Sequence, residues 1–222
     1  MGTKKALIIG STGLIGKSLL AILLEDPAYE QVYSLVRNPV HIKHHKLKEY
    51  VVDFDHLQAD EPFFEVDDVF CCLGTTIKKA GSIEAMKKVD VEYPVKVAQL
   101  AKEKGATHFL VVSSSNANQK SLFSYSRIKG ELENELKNIS YDSLSIVRPS
   151  LLLGNRGETR LMEGLANKTI RGIEKVKRGP ISSQIAIEGH KVAHAMNRIA
   201  QEHGKGVHVY SPKLIGEKVN NM

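Results

Sequence analysis

Short apolar runs alternate along this chain with longer stretches whose apolar positions recur at helical spacing. Lys4–Ile9 is a β-rich run, and Leu14–Glu25 reads as a helix closed at Asp26-Pro27. Gln31–Val36 and Glu49–Val52 read as the second and third strands. Val69–Leu73 is a fourth, continuously apolar, as expected of a strand covered on both faces. Ile83–Lys104 carries Val91, Val95, Val97, Ala98 and Ala101 on a helical pattern and stops at Gly105. His108–Val112 is the fifth strand, Phe123–Leu136 another helix, and Ser143–Val147 the sixth strand, ended by Arg148-Pro149. Beyond Ser150 the pattern loosens. Leu151–Pro180 is rich in Gly, Arg and Lys, Lys191–Gln201 reads as a helix, and Gly206–Tyr210 as a last short strand. Such alternation predicts an α/β fold: an open, doubly wound, mostly parallel sheet with helices on both faces.

The length of 222 residues suits one domain with a single large core. No repeat or low-complexity linker divides it, so the expectation is one domain over 1–222. A charged fraction of 25% argues against a membrane-embedded chain, and no apolar run approaches the ~18 residues of a spanning helix. The apolar stretch Ala6–Gly10 is too short for a secretory signal core, and position 6 is not the Ser or Thr of a myristoylation motif. A cytoplasmic protein is therefore expected. The two cysteines, Cys71 and Cys72, are neighbours on a strand and point to opposite faces, so they read as buried thiols rather than a disulfide. A net charge of +6 without a basic stripe or groove-reading element does not suggest a nucleic-acid partner. The densest basic stretch, His41–Lys48, reads as a solvated connection.

Candidate chemistry begins at the first turn. Gly10, Gly13 and Gly16 follow the first strand and open the first helix, with Ser11, Thr12, Leu14 and Ile15 between them. That spacing suits a dinucleotide: a tight turn at Gly10, close backbone approach to the diphosphate at Gly13, and helix packing on the sheet at Gly16. The helix N-terminus adds free N–H groups. An NAD site would normally have an acid at the end of the second strand. Here that strand ends Val36-Arg37-Asn38-Pro39, and Arg37 can meet a 2′-phosphate, so NADP(H) is expected over NAD(H). Asp53, after the third strand, can accept from the adenine amino group or simply serve a strand-end turn. Leu73, Gly74 and Thr75 end the fourth strand where the cofactor would cross. The core over 1–150 thus reads as the dinucleotide-binding part, and 151–222 as a smaller substrate-side region.

Tyr125 and Lys129 lie four apart on a predicted helix and share one face. A lysine ammonium beside a phenol lowers its pKa, preparing it to exchange a proton with a carbonyl or alkoxide near neutral pH. The same lysine can hydrogen-bond the nicotinamide ribose. Ser113, Ser114 and Ser115 follow the fifth strand and supply a hydroxyl for the substrate oxygen. Of seven tyrosines, Tyr125 alone is followed by Lys four residues on.

The combination of Gly10-x-x-Gly13-x-x-Gly16, Ser113-Ser114 and Tyr125-x-x-x-Lys129 resembles the short-chain dehydrogenase/reductase superfamily. More narrowly the chain looks like the atypical, truncated subgroup that includes the Tat-interacting-protein-like oxidoreductases. The matching segments are Gly10–Gly16, Cys71–Thr76, Val89-Asp90, Val112–Ala117, Tyr125–Glu131 and Val147–Pro149, spanning roughly the first 155 residues. The resemblance implies a Rossmann fold, NADPH bound across the strand ends, and Ser–Tyr–Lys roles for Ser114, Tyr125 and Lys129, with Ser115 the alternative serine. It departs at Asp90, where many relatives carry Asn, so no proton-relay role is assigned there. Members of the subgroup are also known as regulatory proteins.

The expected partner is a small carbonyl or alcohol substrate. The alternative function is an NADPH-binding sensor that changes partners with little turnover. No metal site is expected: His190 and His194 share a helical face without a third ligand, and His41, His44 and His45 lack a companion at a recognised spacing. Arg156, Arg160, Arg171 and Arg178 give the substrate-side segment a positive cast.

Overall fold

A computed structural model describes residues 3–153, 186–202 and 204–220. Seven strands form one sheet: β1 (Lys4–Ile9), β2 (Tyr29–Val36), β3 (Leu47–Val51), β4 (Asp68–Cys71), β5 (His108–Val112), β6 (Ser143–Val147) and, last in the chain, β9 (Gly206–Tyr210). Their order is β3-β2-β1-β4-β5-β6-β9, and every adjacent pair is parallel. This is the doubly wound Rossmann arrangement, whose direction of winding reverses between β1 and β4. A parallel two-stranded ladder joins β7 (Leu151–Leu153) to β8 (Ala186–Glu188). Most of the segment Leu151–Pro180, with Arg156, Arg160, Arg171 and Arg178, lies outside the described residues.

The helices divide between the faces. Alternation along the strands sends Leu7, Ile9, Val69, Phe109 and Val111 to one face, under α4 (Tyr93–Glu103) and α5 (Ser124–Asn138). Ala6, Ile8, Phe70, Leu110 and Val112 point to the other, under α1 (Leu14–Glu25) and α6 (Gly189–Gln201). Large residues such as Phe70, Phe109 and Leu7 are wholly buried, each worth roughly 1.5–3 kcal/mol of transfer free energy.

Three departures from the sequence pattern matter. The run read as one helix over Ile83–Lys104 is α3 (Ile83–Lys87), a π turn (Lys88–Glu92) and α4. Pro94 explains the break: lacking an N–H, it cannot bond the carbonyl of Asp90 four residues back, and the Tyr93 N–H pairs with Lys88 instead. A short helix, α2 (Ile77–Ala80), forms where none was read. Thr76 caps it by accepting from the Lys79 N–H. The chain also ends in a helix, α7 (Pro212–Asn220), that the sequence reading left unassigned.

Candidate active site

At the β1–β4 divergence the chain leaves β1 through Gly10, at φ +80°. A Cβ there would stand 2.5 Å from the Cys72 carbonyl carbon, so both the backbone conformation and the close approach to β4 demand glycine. A Cβ on Gly16 would meet the Gly10 carbonyl oxygen at 2.1 Å. Gly16 thus lets α1 seat on the loop itself rather than on the sheet. The Gly13 N–H closes the turn on Gly10 O at 3.0 Å. Gly13 offers no capping side chain, and no acid stands in the first turn of α1. The first turn of α1 is therefore left without a side-chain cap or an acid at the positive end of the helix, where an anion would be stabilised.

The side chains between the glycines differ in reach. Thr12 is exposed. Ser11 is buried, and its Oγ accepts from Ser34 of β2 at 2.8 Å. Ile15 is a core residue, and Leu14 packs over Gly189, so both can offer a ligand only backbone. At the end of β2 Arg37 is exposed and makes no ion pair among the described residues. Asp53 holds a turn: one oxygen accepts from the Asp55 N–H at 3.0 Å, and the other lies 2.7 Å from His56 Nδ1. These are the contacts of a strand-end turn residue.

Past β4, Leu73, Gly74 and Thr75 follow Cys72 on the same strand-end edge as Gly10. The Thr75 N–H donates to Asp90 Oδ1 at 2.8 Å. The π turn presents Asp90, fully buried, to Lys129, whose Nζ lies 2.9 Å from Asp90 Oδ2. That oxygen has no aligned hydrogen bond, so the contact is an ion pair. A Cβ on Gly74 would stand 3.9 Å from both charged atoms, which places Gly74 as their cover. Asp90, left without a role by the sequence reading, is thus the partner of Lys129. Pro94 is the signal in the sequence that the helix there is irregular.

Tyr125, Lys129 and Glu133 occupy one row of α5 at four-residue intervals. Ser114, buried after β5, lies near enough to the Tyr125 phenol to favour its ionised form. Ser115 is exposed and held by its backbone, its N–H donating to Pro149 O at 3.0 Å. Ser113 donates to Glu133 Oε1 at 2.5 Å, and Arg148 Nε donates to the same oxygen at 2.8 Å. The structure therefore brings Ser114, Tyr125 and Lys129 together and gives Ser113 to a structural carboxylate.

The electrostatics correct one expectation. Burial pushes the Tyr125 phenol above its ordinary value; Lys129 and Ser114 pull it down, and Asp90 pushes it up. The net direction is upward, not the depression toward neutrality expected of an unopposed lysine. Burial alone would depress the Lys129 ammonium, but the Asp90 carboxylate, and then the phenol, hold it above the usual lysine range. Burial also pushes the Cys71 thiol up to about 12 and raises Cys72, so neither is a thiolate near neutral pH. His190 faces Glu188, its Nδ1 3.3 Å from the carboxylate.

A family described as NAD(P)H-binding matches residues 10–202. Protein HTATIP2 of Rattus norvegicus is 38% identical over 172 residues, covering 76% of this chain and 71% of its own length. Protein FMP52, mitochondrial, of Debaryomyces hansenii is 34% identical over 203 residues, covering 89% of this chain and 88% of the relative. Among solved structures, MoeE5 in complex with UDP-glucose and NAD shares the fold with a TM-score of 0.70 at 16% identity, covering 93% of this chain and 75% of that one. A short chain dehydrogenase family protein from Francisella tularensis gives a TM-score of 0.67 at 14% identity, covering 97% of this chain and 100% of its own. The fungal names overturn the expectation of a cytoplasmic protein, since three such relatives are designated mitochondrial. That expectation rested on the lack of a spanning run, of a secretory signal core and of a myristoylation motif, none of which distinguishes one aqueous compartment from another. No helix among the described residues is long and apolar enough to cross a membrane. The chain belongs to the NAD(P)H-binding family, as a short-chain dehydrogenase/reductase of the atypical HTATIP2 type.

Proposed function

We propose that the chain is an NADP(H)-dependent oxidoreductase acting on a small carbonyl or alcohol. One observation carries the reading: Ser114, Tyr125 and Lys129 meet beside Gly74, on the strand-end edge that also holds the glycine bend. The residues present fit a dinucleotide. Cβ atoms on Gly10 and Gly16 would collide with backbone, and the first turn of α1 is left uncapped for a diphosphate. Arg37, exposed at the end of β2, favours the 2′-phosphate form. When bound, the nicotinamide supplies the hydride.

The chain's own residues handle the proton. Ser114 Oγ orients the substrate oxygen. The Tyr125 phenol, kept protonated by burial, donates its proton to that oxygen as the carbonyl carbon is reduced, and takes one back in the reverse direction. Lys129 stands behind the phenol, its charge compensating the phenolate as it forms. In this reading the partner is a small molecule, with neither nucleic acid nor membrane required.

The test is a panel of aldehydes and ketones assayed with NADPH on the wild type and on Tyr125→Phe. A loss of about 100-fold or more in kcat on any reduced substrate is expected, the size of a general-acid contribution. Retention of near wild-type turnover by Tyr125→Phe would remove the phenol from the mechanism. Tight NADPH binding with no turnover across the panel would instead favour the sensor reading.

A further inference from the structure

We propose that Asp90 is a positioning residue: its carboxylate pins the Lys129 ammonium beneath Gly74 and offsets that charge at the Tyr125 phenol. The inference rests on Tyr125 and Lys129 as the proton-handling pair, and it concerns what sets their charge state.

Four observations carry it. Asp90 is fully buried and Lys129 is 3% exposed, so neither charge has water to compensate it, and each requires the other. Their atoms lie 2.9 Å apart. The carboxylate is itself fixed, Oδ1 by the Thr75 N–H at 2.8 Å, and it hangs from a π turn that holds it in place between α3 and α4. Oδ2 has no aligned hydrogen bond, and its contact is the ion pair with the ammonium. A buried, tethered carboxylate at this distance is poorly explained as a helix-surface pair. Those reach water, as Lys87–Glu131 does on the neighbouring surface, with side chains 44% and 26% exposed.

The groups that act on the Tyr125 phenol are Lys129 on its own helix, Asp90 from the π turn and Ser114 from the end of β5. Cys71 of β4 lies near the Asp90–Lys129 pair, its thiol protonated. With Asp90 in place, Lys129 and Asp90 together carry no net charge. Lys129 then orients without stripping the phenol of its proton, and Tyr125 waits as an acid.

The test uses the folded protein free of nucleotide and substrate, so it can fail while the cofactor reading stands, and the reverse. Tyrosines are labelled with carbon-13 at the ζ position and followed by NMR across alkaline pH; the resonance lost in Tyr125→Phe identifies residue 125. In Asp90→Asn the lysine acts unopposed, and the Tyr125 midpoint should fall by about half a unit or more. Asp90→Glu, keeping the charge, should restore it toward wild type, which a purely structural role would not require. A midpoint in Asp90→Asn that falls by less, stays or rises overturns the proposal. Should Asp90→Asn fail to fold, the double variant Asp90→Asn/Lys129→Met removes the whole pair. Its Tyr125 midpoint should stay within about half a unit of wild type, and a larger departure in either direction overturns the proposal.

Discussion

Arg37 is the side chain on which the proposed choice between two coenzymes turns. It ends β2, exposed, with no ion pair among the described residues to occupy it. No carboxylate stands beside it to receive ribose hydroxyls: the next residues are Asn38 and Pro39. A guanidinium on a phosphate makes charge-assisted, two-pronged contacts worth about 1.5–3 kcal/mol. Calorimetry on Arg37→Ala should therefore show NADPH affinity falling about 10- to 100-fold while NADH changes little. Equal losses for both coenzymes would place Arg37 outside the 2′-phosphate contact. At this scale the sequence was informative wherever a residue type answers to one chemical demand. The tight turn at Gly10 and the shared helical face of Tyr125 and Lys129 were legible from spacing, whereas Ser114 was singled out from Ser115 only by the family resemblance. Asp53 was ambiguous, because an acid after a strand suits a turn as well as a ligand; its contacts to Asp55 and His56 are those of a turn.

Helix α5 works as a ruler. At intervals of four, Tyr125, Lys129 and Glu133 lie along one row. The first two are the proposed proton-handling pair, and Glu133, 2% exposed, ties the helix to the ends of β5 and β6 through Ser113 and Arg148. Gly130 lets the same helix press against the loop at residues 118–119, where a Cβ would meet the Gln119 N at 2.2 Å. Glu133→Ala leaves the Ser113 hydroxyl and the guanidinium without their acceptor. Arg148 is 29% exposed and can recover some hydration, so the expected loss is about 2–3 kcal/mol rather than the 3–5 of a fully buried pair. A urea melt would measure it, and a loss under about 0.5 kcal/mol would show that the pair is dispensable. Periodicity announced the helix but not this use of it, since Glu133 has the same spacing as any solvent-facing acid. The π turn was equally hidden. Apolar spacing continued across it, and only Pro94 marked the break.

Across the whole molecule, buried phenols couple folding to alkaline pH. Tyr29 is fully buried and donates to Asp68 Oδ2 at 2.6 Å, with Lys4 Nζ 2.9 Å from the same oxygen. Burial, then Asp68, pushes Tyr29 far above its ordinary value of 10.0, and burial raises Tyr141 and Tyr125 as well. The folded chain thus keeps protons that the unfolded chain releases. This stability is present in full below the ordinary tyrosine pKa and is lost as pH rises above it, by about 1.36 kcal/mol per pH unit for each phenol. Chemical denaturation between neutral and strongly alkaline pH should show that decline. In Tyr29→Phe the slope should be shallower by one proton. An unchanged slope would mean that Tyr29 ionises freely in the folded state. The fold itself was the most legible level, because a parallel sheet buried on both faces demands apolar strands separated by amphipathic helices. The ladder of β7 and β8 and the terminal helix α7 escaped notice, as three-residue strands and a nine-residue helix are too brief to establish a period.

The glycine bend and the Lys129–Asp90 pair share a wall. Gly10 rests directly on the Cys72 carbonyl, and three residues later the same segment bonds Asp90 through the Thr75 N–H. On the proposed reading, this one short segment joins the bend that would hold the diphosphate to the carboxylate paired with the lysine. A side chain forced into that bend would therefore be transmitted along one short stretch of backbone to the acid at 125, and grip on the coenzyme and readiness to donate would be lost together.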